Sequence, residues 1–246
     1  MLSPSDFFDL EGFAFADLFE DVEYVWEVLE RIHKYALANA VDGVRGEVMA
    51  GAYLIGDRIS IGKGSVVEPG ALIKSPCIIG RDTEIRQGAY LRGGVIIGDG
   101  CVVGHATEIK NAVLLDGANA PHFNYVGDSI LGRRVNLGAG TILSNVKILG
   151  KTITVTVQGR KYDTGLRKFG AILGDDTQTG CNSVLNPGTL LGKQCRVYPC
   201  ASVRGYHPDG TVIKLRQDLE VSAAPHSLLT PRLEGGPNTE REEMAK

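Results

Sequence analysis

Ile79-Gly-Arg-Asp-Thr-Glu-Ile85-Arg-Gln-Gly-Ala-Tyr-Leu91-Arg-Gly-Gly-Val-Ile-Ile97 carries an aliphatic residue at every sixth position. The same beat runs back through Ile73, Val67, Ile61 and Ile55 and forward through Val103, Ile109 and Leu115. Two positions before nearly every one stands a small or β-branched side chain: Ser65, Ala71, Cys77, Thr83, Ala89, Val95, Cys101, Thr107 and Val113. In a strand, residues i−2 and i face the same side, so each hexad turns one small and one large residue inward. No single hexad can bury such a face alone, and the hexads must therefore stack on one another.

Working outward, the beat is lost after Leu115 and resumes at Leu131, Leu137, Leu143 and Leu149. It is lost again over 151–170, where Ile153-Thr-Val-Thr-Val157, Gln158-Gly159 and Arg160-Lys-Tyr-Asp163 predict a β-hairpin thrown out of the coil. It returns at Leu173, Thr179, Leu185, Leu191, Val197 and Val203. The expected organisation is an N-terminal aromatic and helical segment over 1–47, then a hexad domain over 48–205. That domain carries excursions at 116–130 and 150–170, and a partly disordered tail follows over 206–246. Thr211–Leu215 can add one short strand, and the polar, Gly/Pro-bearing stretch from Leu233 is expected to be disordered. Upstream, Val22, Val25, Trp26, Leu29 and Ile32 keep helical spacing. Phe7, Phe8, Phe13, Phe15 and Phe19 mark a segment that docks, either on this chain's own scaffold or on another protein.

Composition narrows the partners. A formal charge of −3 carries no basic excess, which argues against nucleic acid or an anionic membrane. No apolar run reaches the ~18 residues of a membrane helix, and no basic residue precedes Arg31 as a signal peptide would require. The five cysteines form no zinc-type pairs, so reduced thiols in a cytoplasmic protein are expected, with Cys77, Cys101 and Cys195 in inward small slots.

Two features carry chemistry. Lys74, Arg92 and Lys110 are eighteen residues apart in succession, which stacks them in one column if three hexads make a coil. Stacked cations repel, and an anion bound beside them relieves that repulsion; the plain alternative is a polar outer surface. His122 lies where the beat breaks, in Gly117-Ala-Asn-Ala-Pro-His-Phe-Asn-Tyr125, flanked by Asn119, Asn124 and Tyr125. A lone histidine is as a rule structural, and the polar break is what singles this one out as a candidate base. His33, His105, His207 and His226 have no such setting.

Leu91-Arg92-Gly-Gly, Glu108-Ile109-Lys110, the block Asn119–Asp128, Asn136-Leu-Gly-Ala-Gly-Thr141, Asn145 and Lys151 together resemble the acetyltransferase half of the bifunctional N-acetylglucosamine-1-phosphate uridyltransferase/glucosamine-1-phosphate acetyltransferases. Lys161–Gly174 resembles the archaeal sugar-phosphate members. The resemblance implies a mainly β fold: a single-stranded left-handed parallel β-helix of hexapeptide repeats, here with an N-terminal α-helical segment. It also implies a homotrimer with acetyl-CoA lying between neighbouring prisms. By the same resemblance Arg92 and Lys110 bind the sugar phosphate, and His122 takes a proton from the sugar amine. Tyr125, Asn136, Asn145 and Lys151 orient the sugar, while Cys181 and Pro199 stand at positions that line the cofactor. No metal is required. Nothing over 1–47 resembles the family's nucleotidyltransferase domain, so uridylyl transfer is not expected, and Cys181, Pro199 and Val146 depart from the family's residues.

Direct acetyl transfer to an amino-sugar 1-phosphate is the function so implied. The alternatives are a ping-pong route through Cys181, a non-catalytic trimeric sugar-phosphate-binding or partner subunit, and a zinc-dependent hydratase. The last would need three converging histidines, and the chain lacks a histidine pair close in sequence.

Overall fold

A stack of two- to four-residue strands, broken only by the seven-residue Glu108–Leu114 and Tyr125–Leu131, is what alternating inward side chains and left-handed corners produce. In the computed structural model, which describes residues 2–223, every ladder in the stack is parallel, and the antiparallel hairpin Thr154–Val157/Arg160–Asp163 projects from it. Contacts divide the chain into two units, 1–215 and 216–246; the described part of the second, 216–223, forms no helix or strand. His226 and the expected disorder after Leu233 lie outside the described residues.

The coil has three faces. The first holds Val66–Val67, Glu84–Ile85, Val102–His105 and Asn119–His122, bridged through Asn136 to Gln178–Thr179, Arg196–Val197 and Val212–Ile213. The second holds Leu72–Lys74, Tyr90–Leu91, the first halves of Glu108–Leu114 and Tyr125–Leu131, then Ile142–Leu143, Val184–Leu185 and Ser202–Val203. The third holds Cys77–Ile79, Val95–Ile97, the second halves of the same two long strands, Ala171–Leu173, Thr189–Leu191 and Tyr206–His207. Inside runs one aliphatic column per face, with Ile73, Ile85, Leu91, Ile97, Val103 and Ile109 at or near zero exposure. Cys77, Cys101 and Cys195 are buried in small slots, as the hexads required.

The beat differs from expectation at particular corners. Leu91 pairs with Ile109, eighteen residues on, yet Ile97 pairs with Leu114, only seventeen on. One residue is dropped at Asn111, whose φ of 46° turns the corner in fewer steps, and again at Asp128, with φ 47°. Ala112 and Leu114 therefore point inward, while Val113 and Leu115 point out into a second apolar cluster. Residues 116–130 make no excursion: Val102 pairs with Asn119 and Glu108 with Tyr125 throughout that coil. Leu54 rather than Ile55 packs on the core, and Leu149 is 83% exposed. Pairing also persists past Gly205, to Tyr206–His207 and Val212–Ile213.

The third face is apolar on its outside too. Ile78, Ile96, Val113, Ile130, Ile172 and Leu190 succeed one another coil by coil. The helix Val28–Asn39 and the buried rings of Phe7, Phe8, Phe13, Phe19 and Trp26 cover them, joined by Ile153, Val155 and Val157 of the hairpin strand and its approach. The phenylalanine segment thus docks on its own scaffold. Polar pins fix it there: Asp175 accepts from the backbone N–H of Asp9 and of Arg133, each at 2.7 Å, and its own N–H donates to Phe7 O.

Candidate active site

The second face remains free of that cover. Its outward side chains form two columns, Leu72–Tyr90–Glu108–Tyr125–Ile142 and Lys74–Arg92–Lys110–Gly127. The expected cation column exists, and the chain itself supplies its anions. The Arg92 guanidinium donates to Glu108 Oε1 at 2.7 Å, which keeps it firmly protonated, and Lys110 Nζ lies 3.1 Å from Asp128 Oδ2. Lys74 and Arg92 also flank the Tyr90 ring, 5.3 and 6.0 Å from its centroid.

Asp128 organises the trailing corner of this face. Its carboxylate accepts from Lys110 Nζ, from Asn111 Nδ2 at 3.0 Å and from Asn145 Nδ2 at 2.5 Å. Asn111 passes its other amide hydrogen to Leu29 O, tying the corner to the N-terminal helix. A Cβ at Gly127 would stand 2.6 Å from the Tyr125 hydroxyl and 2.8 Å from Asn145 Nδ2, so a larger residue there displaces those two side-chain ends. Burial, then the charges of Glu108 and Asp128, push the Tyr125 phenol up, so it remains a neutral hydrogen-bonding group.

The leading corner carries His122. Its ladder partners are His105 on the coil before and Ala139 on the coil after: Phe123 N–H donates to His105 O, and Gly140 N–H donates to His122 O. The ladder continues through Asn182 N–H on Ala139 O to Cys200 N–H on Cys181 O, which sets Cys181 and then Pro199 on the same edge as His122. Buried Asn124 holds this corner, accepting from His122 N–H and donating to Gly138 O at 2.8 Å. The His122 ring is exposed, and next to it Phe123 adopts φ 52° with its ring 56% exposed and edge-on to His105.

The structure therefore brings Arg92, Lys110, Tyr125 and Asn145 onto one face, with His122, Cys181 and Pro199 along its leading edge. Asn136 is on the first face, between Asn119 and Gln178, and does not join them within one chain. Lys151 is exposed at the root of the hairpin and makes no ion pair among the described residues. Cys181 lies two coils from His122, about 10 Å at the usual strand spacing, too far for the imidazole to take its proton within one chain. A histidine pair does arise, since His105 and His122 share register across one coil, but no group of three or more potential metal ligands occurs among the described residues. Asn124 is a flank of His122 already in the sequence, whereas Glu108, Asn111 and Asp128 have no role assigned there; the corners at 111 and 128 emerge only from the left-handed turns of the fold.

Comparison with known proteins follows the same residues. The family model described as the GMPPB C-terminal domain matches residues 73–159. The bifunctional sugar-1-phosphate nucleotidylyltransferase/acetyltransferase of Sulfurisphaera tokodaii is 40% identical over 92 residues, 37% of this chain and 23% of that protein. The bifunctional protein GlmU of Methanococcus maripaludis is 37% identical over 183 residues, 74% of this chain and 44% of that one. This chain is a hexapeptide-repeat homologue of those bifunctional proteins. The homologous region spans less than half the length of the curated relatives it matches. Among solved structures, the Francisella novicida UDP-N-acetylglucosamine acyltransferase aligns with a TM-score of 0.42 and 14% identity, over 69% of this chain and 59% of that chain. No helix among the described residues is long and apolar enough to cross a membrane.

Proposed function

We propose that this chain transfers an acetyl group from acetyl-CoA to the amine of an amino-sugar 1-phosphate, working as a cytoplasmic homotrimer. The observation that carries the reading is the second face, free of the N-terminal cover, on which Arg92, Lys110, Tyr125 and Asn145 converge with His122 at its edge. The Sulfurisphaera tokodaii relative, named as a nucleotidylyltransferase/acetyltransferase, adds support.

In this reading the phosphate takes the free donors of Arg92 and the ammonium of Lys110, both held in place by Glu108 and Asp128. Tyr125, Asn145 and Lys151 bind sugar hydroxyls. Asn136, on another face, reaches the sugar only from a neighbouring subunit. His122 accepts the amine proton as nitrogen attacks the thioester carbonyl; the carbon–sulfur bond then breaks and the proton leaves with the CoA thiolate. Donor binding runs along the edge that bears Cys181 and Pro199.

General-base assistance is worth roughly 10²- to 10⁴-fold. His122→Ala is expected to lower acetyl-CoA consumption with glucosamine-1-phosphate by about that factor while its thermal melting matches wild type. Wild-type turnover in the variant would sink the assignment. A wild-type chain that binds glucosamine-1-phosphate but consumes no acetyl-CoA would be a binding subunit.

A further inference from the structure

The second face does not end at Arg92. Toward the N-terminal end of the coil its outward columns continue one step to Leu72 and Lys74, and a further step to Tyr53 and Ile55. Neither of these coils has a part in the proposed transfer. Lys74 makes no ion pair among the described residues, and its ammonium lies 5.3 Å from the centroid of the Tyr90 ring that Arg92 also flanks. On the outermost coil Tyr53 and Ile55 are 62% and 51% exposed, while Leu54 between them packs on the core. The corner that follows carries Asp57 and Arg58, both exposed and opposite in charge, so Lys74 is the cation of this end of the face that no carboxylate pairs.

Successive coils stand about 4.8 Å apart, so the face offers its groups in a fixed order. Tyr125 and Asn145 come first, with His122 at the edge; then Lys110 and Arg92, held by Asp128 and Glu108; then Lys74; then the Tyr53 ring and Ile55. A ligand with its sugar on the first group and a phosphate on Arg92 meets a second cation one step along and an aromatic platform one step beyond that. A lysine ammonium suits phosphate oxygens, and any base can lie on an exposed aromatic ring because every base has a π-face. Sugar, phosphate, phosphate, nucleoside is the order of groups in a nucleoside diphosphate sugar. CoA also contains a nucleoside diphosphate, but the proposed donor edge with Cys181 and Pro199 lies toward the later coils, away from Tyr53.

We propose that Lys74, Tyr53 and Ile55 form a second-phosphate and nucleoside subsite, which extends the acceptor class to nucleoside-diphosphate-linked amino sugars. The assignment rests on the proposed transfer only for which end of the face holds the amine.

Titration calorimetry with uridine diphosphate and adenosine diphosphate on the full chain tests the subsite without any turnover. At least one of them should bind, and glucosamine-1-phosphate should displace it, because both place a phosphate on Arg92. Lys74→Gln is expected to weaken diphosphate binding about tenfold or more, as loss of a charged hydrogen-bond partner does. Tyr53→Ala should weaken it about fivefold or more, as loss of a stacking ring does. Both variants should keep the wild-type melting temperature and the wild-type affinity for glucosamine-1-phosphate. Binding of neither diphosphate, binding that glucosamine-1-phosphate does not displace, unchanged affinity in Lys74→Gln, or an equal loss for glucosamine-1-phosphate in that variant each overturns the proposal. CoA affinity should be the same in wild type and Lys74→Gln; a comparable loss there gives the subsite to the donor and overturns its assignment to the acceptor. A wild-type chain that acetylates glucosamine-1-phosphate but binds neither diphosphate keeps the transfer and loses the subsite. Lys74-dependent diphosphate binding without any acetyl transfer keeps the subsite and removes the transfer.

Discussion

Asp128→Asn tests whether the trailing corner is organised as described. The carboxylate is 6% exposed, its Lys110 partner 24%, and three side chains donate to its two oxygens. The amide keeps the shape but loses the charge, and its NH₂ must face a donor, either Asn111 or Asn145. Hydrogen bonds to a charged group contribute about 1.5–3 kcal/mol each. Breaking a fully buried pair costs about 3–5 kcal/mol, and the partial exposure of Lys110 lets water recover part of that. A loss of about 2–3 kcal/mol results, or roughly 5–10 °C in melting temperature for a domain of this size. Because Asp128 holds Lys110 and Asn145 in place, KM for the sugar phosphate should rise more than kcat falls. A double-mutant cycle with Lys110→Met isolates the pair, with a coupling of at least about 1 kcal/mol expected. Additivity within about 0.5 kcal/mol, or a KM that falls because Lys110 has been released, would refute the positioning role.

Three further outcomes are expected. Phe123→Gly removes a left-handed bulky residue, relieving about 1–2 kcal/mol of backbone strain against the loss of one exposed ring contact with His105. Its melting temperature should equal or exceed wild type while turnover drops, and a clear destabilisation would show that the ring serves the fold. Under native conditions a thiol reagent should modify Cys181 and Cys200, which are exposed, and spare Cys77, Cys101 and Cys195. Burial pushes the Cys101 thiol up to about 12 and raises Cys77 and Cys195 as well, so rapid labelling of more than two thiols contradicts the buried slots. Ile130→Asp sets an unpaired carboxylate under the N-terminal cover, at a cost above about 4 kcal/mol. Limited proteolysis should then cut within residues 8–24, and a protected segment would mean the cover is held by something other than this apolar column.

Much of this protein could be read from its residues because a stacked coil is a nearly one-dimensional object. A period of six, with a small residue two positions before each large one, dictates strands that cannot bury themselves singly, and the column Lys74–Arg92–Lys110 follows once three hexads make a coil, as the family resemblance implies. So does the hairpin over 153–163, where alternation replaces the hexad. The outward apolar column Ile78, Ile96, Val113, Ile130, Ile172 and Leu190 was equally present in the sequence. It explains where the phenylalanines dock, although each member is hidden beside an inward aliphatic neighbour.

What only the tertiary structure decided lies at the corners. A left-handed residue at 111 or 128 shortens one coil by a single residue, and periodicity cannot place that step, because Val113 and Leu115 suit an inward slot as well as Ala112 and Leu114 do. The step moves Asn111 and Asp128 into line with Asn145, gives Lys110 its carboxylate and opens a cleft beneath the N-terminal helix. Side chains from residues 29, 111, 128 and 167 meet there through packing, and no spacing along the chain encodes their meeting.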